Sequence, residues 1–400
     1  MPLNTAITKI LLNSSPAFIQ PWKDKERTKI LLAGIIGSFC FGAQSFALDY
    51  ELGGLDLKTS LTFQILRFSL LGFVGIPTTF WLMAKDISPK HLFLIQFIGS
   101  LLYFIDPHSG FISAIAYTLS LSPFCAVYNY NFAVKQTDQN RNNETALAQY
   151  TLVISSCLGI FSGGWLLSKG YYLLAIFIGC AGGACATYIM RTPLPQKNYA
   201  ARTRIRLGWR KPSNRITFMT SMNGVLIDSC LPIWMNVIGL SPLTASANMA
   251  VRPFLGFFLT PLFGFIMKRG TFEAARYVTI LLATGWFFMM NAYFWPTLIP
   301  VAMAVLMAAT NLMAPMEMNR WFKRRSVSAT IAREGLFAIG RIPAYLIGIP
   351  VIFTAPIAFP ILGLSIGTLF AYGLIYRRKK WTDRLKFWQR PQFAVEKFEK

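Results

Sequence analysis

RTPLPQKNYAARTRIRLGWRKPSNR, residues 191–215, holds eight basic side chains and no acidic one. Pro193, Pro195 and Pro212 interrupt any continuous helix there, so the stretch reads as a charged linker. Working outward from it, the chain is a series of apolar stretches between short loops, six before the linker and six after it. The expected spans are 30–50, 61–84, 92–105, 111–133, 146–168 and 171–190, then 216–238, 247–267, 277–294, 297–319, 330–353 and 357–376. Most have the length that an α-helix needs to cross a hydrocarbon layer about 30 Å thick.

Composition agrees. Of 400 residues, 54% are hydrophobic and 14% charged, with a mean hydropathy of +0.46. That leaves too little polar surface to clothe a soluble fold of this size, and the chain reads as an all-α polytopic membrane protein. A net charge of +23 raises the question of a nucleic-acid partner, which the placement of the charge answers. Among 39 Lys and Arg, only Lys58 and Lys169 fall in the loops on one side, and only Arg67, Arg252, Arg333 and Arg341 fall within spans. The rest lie on the side of the termini, as the positive-inside rule requires of cytoplasmic loops. Topology therefore accounts for the charge, and no aromatic-basic recognition motif points to nucleic acid.

The expected organisation is a cytoplasmic segment 1–29, a six-helix bundle 30–190, the linker 191–215, a second bundle 216–376 and a basic cytoplasmic tail 377–400. Lys23 to Arg27 lead straight into an uncleaved first span, without the pattern of a secretory signal, and Ile7 to Leu12 can lie on the membrane surface as a short amphipathic helix. This topology suits a bacterial inner membrane. Cys40, Cys125, Cys157, Cys180, Cys185 and Cys230 all lie in apolar segments without metal-ligand spacing, and His91 and His108 are far apart. They read as small buried hydrophobes and loop residues, so no metal or other cofactor is expected. No nucleotide-binding loop, nucleophile-base pair or G-x-S-x-G element occurs, which argues against direct use of ATP and against an enzyme.

The halves resemble each other. Arg67 is followed by Gly72, Pro77 and a basic exit at Lys85; Arg252 is followed by Gly256, Pro261 and a basic exit at Lys268 and Arg269. Glu144 opens the fifth span and Glu334 lies near the start of the eleventh. Two six-helix halves in parallel repeat, joined by a cytoplasmic connector with both termini inside, resemble the major facilitator superfamily over nearly the whole chain. The family's loop signature, G-x-x-x-D-R-x-G-R-R, survives as Ala84-Lys85-Asp86-Ile87-Ser88-Pro89-Lys90-His91, with an acid and two bases but without the glycines. Gly264 to Gly270 keeps glycine and basic charge in the second half, and Gly159-Ile160-Phe161-Ser162-Gly163-Gly164 is similar to the family's glycine-rich fifth helix, without the proline of its antiporter form. The resemblance implies twelve helices in two pseudo-symmetric bundles, alternating access, and coupling to H⁺ rather than Na⁺.

An ionisable group at membrane depth costs about 2.5 to 3.5 kcal/mol on insertion scales, so each such residue needs a partner, water or a task. Asp228, midway along the seventh span, is a candidate proton carrier or else a fixed partner for a neighbouring arginine. Glu334 shares that candidacy, with Arg333 beside it as part of an inner gate. Asp86 and Glu144 are further gate candidates. Arg341, seven residues beyond Glu334, is a candidate for substrate binding. Arg67 and Arg252 either snorkel to headgroups, attract an anion at the outer mouth, or form gate pairs with Asp49 or Glu51. Gln44, Gln149, Asn223 and Asn311 are the neutral polar candidates, with Glu317 a further acid. Tyr128-Asn129-Tyr130-Asn131 reads either as cavity or as interface anchor, and Trp234, Trp286, Phe287 and Phe288 as packing more than as stacking surface.

The functional expectation is a monomeric secondary transporter of a small anionic or zwitterionic solute, coupled to H⁺ and in contact with membrane lipids. A multidrug exporter of lipophilic cations, or a scaffold or receptor that transports nothing, are the alternatives.

Overall fold

The computed structural model describes residues 25–85, 87, 89–135, 141–190, 212–251, 271–322 and 327–376; at 89–90, 133–135, 141–150, 212–213, 215, 271–276, 311, 313–322 and 369–376 it describes the helix path alone. Most of the linker 191–215, the tail 377–400, Asp86, Arg252 and Gly264 to Gly270 lie outside the described residues, as do the side chains of Glu144, Gln149, Asn311 and Glu317.

The described residues form helices and turns, with no strand among them. The rods are α1 (Lys25–Leu55), α2 (Leu57–Ala84), α3 (Pro89–Leu102), α4 (Gly110–Lys135), α5 (Arg141–Ser168) and α6 (Tyr172–Ile189), then α7 (212–237), α8 (Pro242–Ala250), α9 (Thr271–Ala292), α10 (Ile299–Phe322), α11 (Val327–Thr354) and α12 (Phe359–Tyr376). Seven of the described helices are long and apolar enough to cross a membrane by length and composition. Large apolar side chains such as Trp81, Leu94, Leu158 and Leu346 stand exposed along the rods, as lipid-facing positions do, and the chain is an integral membrane protein.

Local chemistry sets the boundaries. α1 starts before the expected residue 30 because its charged first turn stays helical, with Lys29 pairing to Glu26 at 2.8 Å. Asp56 caps α2 by accepting from the Thr59 amide at 2.9 Å, and Ser241 caps α8 ahead of Pro242. α3 begins at Pro89 and ends at Leu102, so the expected span 92–105 is shifted toward the linker side of the bundle; Tyr103 to Ile105 form a turn.

Three rods contain a π-helical turn: Leu48–Leu52 in α1, Leu71–Gly75 in α2 and Leu226–Cys230 in α7. Two of them immediately precede a proline, Pro77 and Pro232. A proline lacks the amide that the preceding turn expects and crowds its carbonyl, so the helix rewinds locally. The π-turns of α1 and α2 pack against the other half, on α7 and α11 respectively.

The first six helices pack on one another, as do the last six; between the groups α2 packs on α11, α5 on α8 and α10, and α1 on α7. Without a hydrophobic driving force inside lipid, close approach of backbones holds such helices together. At the α1–α5 crossing, a Cβ on Gly159 would meet the Phe39 carbonyl, one on Gly163 the Ala43 carbonyl, and one on Gly42 the Ser156 carbonyl. The glycine-rich run of the fifth span is therefore a packing surface for α1. Trp234 and Trp286 are fully buried around Phe359, with ring centroids at 6.3 and 5.8 Å from it, which settles their role as packing. Gly170, by contrast, takes φ +79° in the α5–α6 turn with open space around it.

Gly159→Val forces α1 and α5 apart against backbone, at about 1–3 kcal/mol or more. We expect a clear fall in apparent melting temperature in detergent, whereas a small residue change at lipid-facing Leu158, such as Leu158→Ala, leaves it nearly unchanged.

Candidate functional site

Between the halves lies a cavity of about 360 Å³, within the size range of small-molecule sites. α1, α2, α4 and α5 contribute Ser38, Phe68, Phe124, Cys125, Tyr128, Asn129 and Leu152; α7, α10 and α11 contribute Thr220, Ser221, Gly224, Val225, Asp228, Ser229, Met307, Thr310, Arg333, Phe337 and Arg341. Both bundles therefore supply walls. Four aromatic rings, Phe68, Phe124, Tyr128 and Phe337, share the wall with nine polar or charged side chains, Asp228, Arg333 and Arg341 among them.

Asp228 reaches this space from the π-turn of α7, with its side chain exposed to it rather than packed away. The turn matters because it rotates the residues around Asp228 out of regular helical register, leaving Leu226, Ile227, Ser229 and Cys230 buried while Asp228 is not. Arg341 faces the same cavity from α11. Its guanidinium carbon sits 4.0 Å from the centre of the Phe68 ring and 5.3 Å from that of Phe337, and it has no ion-pair partner among the described residues.

Two turns nearer the start of α11, Arg333 donates to Glu334 Oε1 at 2.6 Å, and Asn129 of α4 donates to the same oxygen at 3.2 Å. Glu334 is thus held by its neighbour and by the opposite bundle. Arg333 also lies over Phe337, 4.7 Å from the ring centre.

Toward the end of the bundle where α1 finishes, the halves are closed on each other. Arg67 is 1% exposed and does not snorkel: its Nη2 meets Asp49 Oδ1 at 2.6 Å, Gln64 donates to the same carboxylate at 2.6 Å, and Arg67 Nη2 donates to Ser229 Oγ of α7 at 3.1 Å. The Phe63, Phe68 and Tyr117 rings surround the guanidinium at 4.7, 4.4 and 5.1 Å. Asp49, and not Glu51, is the partner. Beside this pair, the Tyr50 hydroxyl donates to the Leu240 carbonyl and Asn236 Nδ2 donates to the Tyr50 carbonyl at 2.6 Å. Gly53 and Gly54 pack against Ile233 and Asn236, and Gly164 of α5 against Ser246 and Pro242 of α8.

Of the residues expected at the site, the structure brings Asp228, Arg341 and Arg333 to the cavity, and with them Tyr128 and Asn129, which are cavity wall rather than interface anchors. It does not bring Gln44, Asn223 or Arg67 there. Gln44 is buried and donates to Tyr103 Oη at 3.1 Å; Asn223 is buried and donates to the Met219 carbonyl at 3.2 Å. These amides point into their own bundles because each helix presents several polar faces and the sequence does not say which one meets the cavity. Phe68, Phe337, Tyr50 and Asn236 were not anticipated. The signal for Phe337 was present: Arg333, Phe337, Arg341 and Tyr345 recur every four residues on one helical stripe.

Breaking the Arg67–Asp49 pair strands a buried charge, at a cost of about 3–5 kcal/mol. Arg67→Gln and Asp49→Asn each lower the apparent melting temperature strongly, and the double variant recovers much of the loss; additive losses in that cycle would contradict a direct pair.

No protein-family model and no curated protein matches the sequence. Solved structures do match its fold. A variant of the nucleoside transporter NupG superposes with a TM-score of 0.61 at 13% identity, over 89% of this chain and 100% of that one. The human organic anion transporter MFSD10 (TETRAN) gives 0.61 at 13%, over 88% and 100%, and unsubstituted NupG gives 0.57 at 13%, over 89% and 100%. The two six-helix bundles, the cavity between them and superpositions over 88–89% of this chain give it the fold of these transporters.

Proposed function

We propose that the chain is a secondary active transporter that moves a small anionic or zwitterionic organic solute by alternating access. The observation that carries this reading is the cavity between the bundles, lined from both sides and holding the Arg341 guanidinium without an ion-pair partner among the described residues. The Arg341 guanidinium attracts an anion, and an exporter of lipophilic cations would need that charge neutralised, which weighs against a multidrug exporter. The fold likeness to a nucleoside transporter and an organic anion transporter supports transport as the activity. The cluster at Tyr50, Arg67 and Asn236 is the closed gate, on what the positive-inside pattern makes the outer face; both termini and the loop side then lie in the cytoplasm of an inner-membrane protein.

Asp228 is the proton carrier in this scheme. When ionised it offsets the positive charge that Arg341 offers an arriving anion; when protonated it leaves that charge available. Proton and anion therefore favour each other's binding, which is the linkage a symporter needs. Glu334 is the weaker candidate because Arg333 and Asn129 already hold its carboxylate.

In proteoliposomes screened with organic anions, zwitterions and cations, we expect a proton gradient to drive accumulation of an anionic or zwitterionic solute. Asp228→Asn lowers gradient-driven accumulation by roughly 5- to 150-fold while leaving solute exchange in place. Unchanged gradient-driven accumulation in that variant removes Asp228 from the mechanism.

A further inference from the structure

Four contacts join five side chains into one column. Arg333 lies 4.7 Å from the Phe337 ring centre and Arg341 5.3 Å from the same ring; Arg341 lies 4.0 Å from the Phe68 ring centre and Arg67 4.4 Å from that ring. Each phenyl ring thus serves two guanidinium groups, and the column runs from the Glu334 contact through the cavity to the buried gate. Its end cations are neutralised, Arg333 by Glu334 and Arg67 by Asp49, each at 2.6 Å. The central cation is not paired in that way.

We propose that Arg341 is the carboxylate-binding residue of this cavity, that Phe68 and Phe337 are the residues that position it, and that the solute is an organic monocarboxylate with an apolar or aromatic body. The assignment rests on the transporter reading only in calling the ligand a transported solute. A guanidinium held over ring faces keeps its N–H donors, which radiate in its own plane, for an oxyanion. Two parallel donors match the two oxygens of a carboxylate. Arg341 is the one cation of the column without a paired carboxylate and matches one negative charge, so a dianionic phosphoryl group, with Asp228 in the same cavity, is under-served. Phe124 and Tyr128, whose rings stack at 5.5 Å on the opposite bundle, form the apolar wall that takes the body of the solute.

The rings do more than fill space. Leucine at Phe68 keeps the apolar volume but removes the face that holds Arg341, whereas tryptophan restores such a face. A purely steric role for Phe68 predicts the reverse order, since leucine is then the better tolerated change.

The test is binding of benzoate, benzamide and phenylphosphonate to the detergent-purified full-length chain, followed by thermal unfolding. Benzoate raises the melting temperature, benzamide of the same shape does not, and phenylphosphonate is the weaker of the two anions. Phe68→Leu weakens benzoate binding by roughly 5- to 30-fold and Phe68→Trp recovers most of it. Arg341→Gln abolishes it; should that variant not fold, Arg341→Lys, which keeps the charge but loses the fork, still binds benzoate more weakly than the unsubstituted protein. The proposal is overturned by silence toward benzoate, by equal stabilisation with benzamide, by unweakened binding in Phe68→Leu, or by unweakened binding in Arg341→Lys. Benzoate binding of this pattern in a protein that moves no solute contradicts the transporter reading and leaves the carboxylate site standing; transport without Arg341-dependent benzoate binding does the opposite.

Discussion

A guanidinium within a bundle of apolar helices must have its charge offset, and the arrangement of this molecule follows from how three of them are. Arg67 has a carboxylate, a serine from the other bundle and three aromatic rings around it. Arg333 has the neighbouring Glu334. Arg341 has aromatic faces and the cavity. Desolvation makes the first arrangement a fixed part of the fold, while the third leaves a binding capacity that a solute can use.

Backbone chemistry places these groups. Prolines in α2 and α7 force π-turns at the level where the bundles meet, and small residues let the rods approach closely enough for short polar side chains to bridge them. Gly72 is the clearest case. A Cβ there would lie 2.8 Å from the Ala338 Cβ and 2.9 Å from the Glu334 carbonyl, so α2 and α11 can run in contact only with glycine at that position. That crossing brings Phe68 of α2 under Arg341 of α11. The contacts between the bundles where α1 ends are of two kinds: bonds from Tyr50 and Asn236 run to backbone carbonyls and carry no charge, whereas Arg67 reaches Ser229 of α7 with a charged donor.

Much of the architecture was legible because lipid imposes it: the all-helical class and the number of apolar helices are written in composition along the chain. The pairing of Arg67 with Asp49 was within reach, since both are ionisable and near the same end of their helices. Which polar face of each helix meets the cavity was not. Gln44, Asn223 and Asp228 look equivalent in sequence, and only the π-turn in α7 and the packing of α1 on α5 and α6 separate one from the others. The aromatic partners of the arginines were missed for a related reason: a phenylalanine in a membrane helix has an ordinary reading as packing, and its service to a cation depends on a helix from elsewhere in the chain.

Under the proposed alternating access the cavity opens to the two sides in turn, with the Tyr50–Asn236 region as one gate. A Cβ built on Gly54 would lie 3.2 Å from the Asn236 Cβ, near the spacing of a disulfide, so Gly54→Cys with Asn236→Cys can lock that gate. The most direct measurement is labelling of cavity-lining Ser38→Cys by a membrane-impermeant maleimide applied to either side of proteoliposomes, in a background without the native cysteines. Alternating access predicts labelling from both sides with the lock reduced, and from the side of the termini alone once it is oxidised. Labelling from both sides with the lock closed, or from one side only with it open, would contradict it.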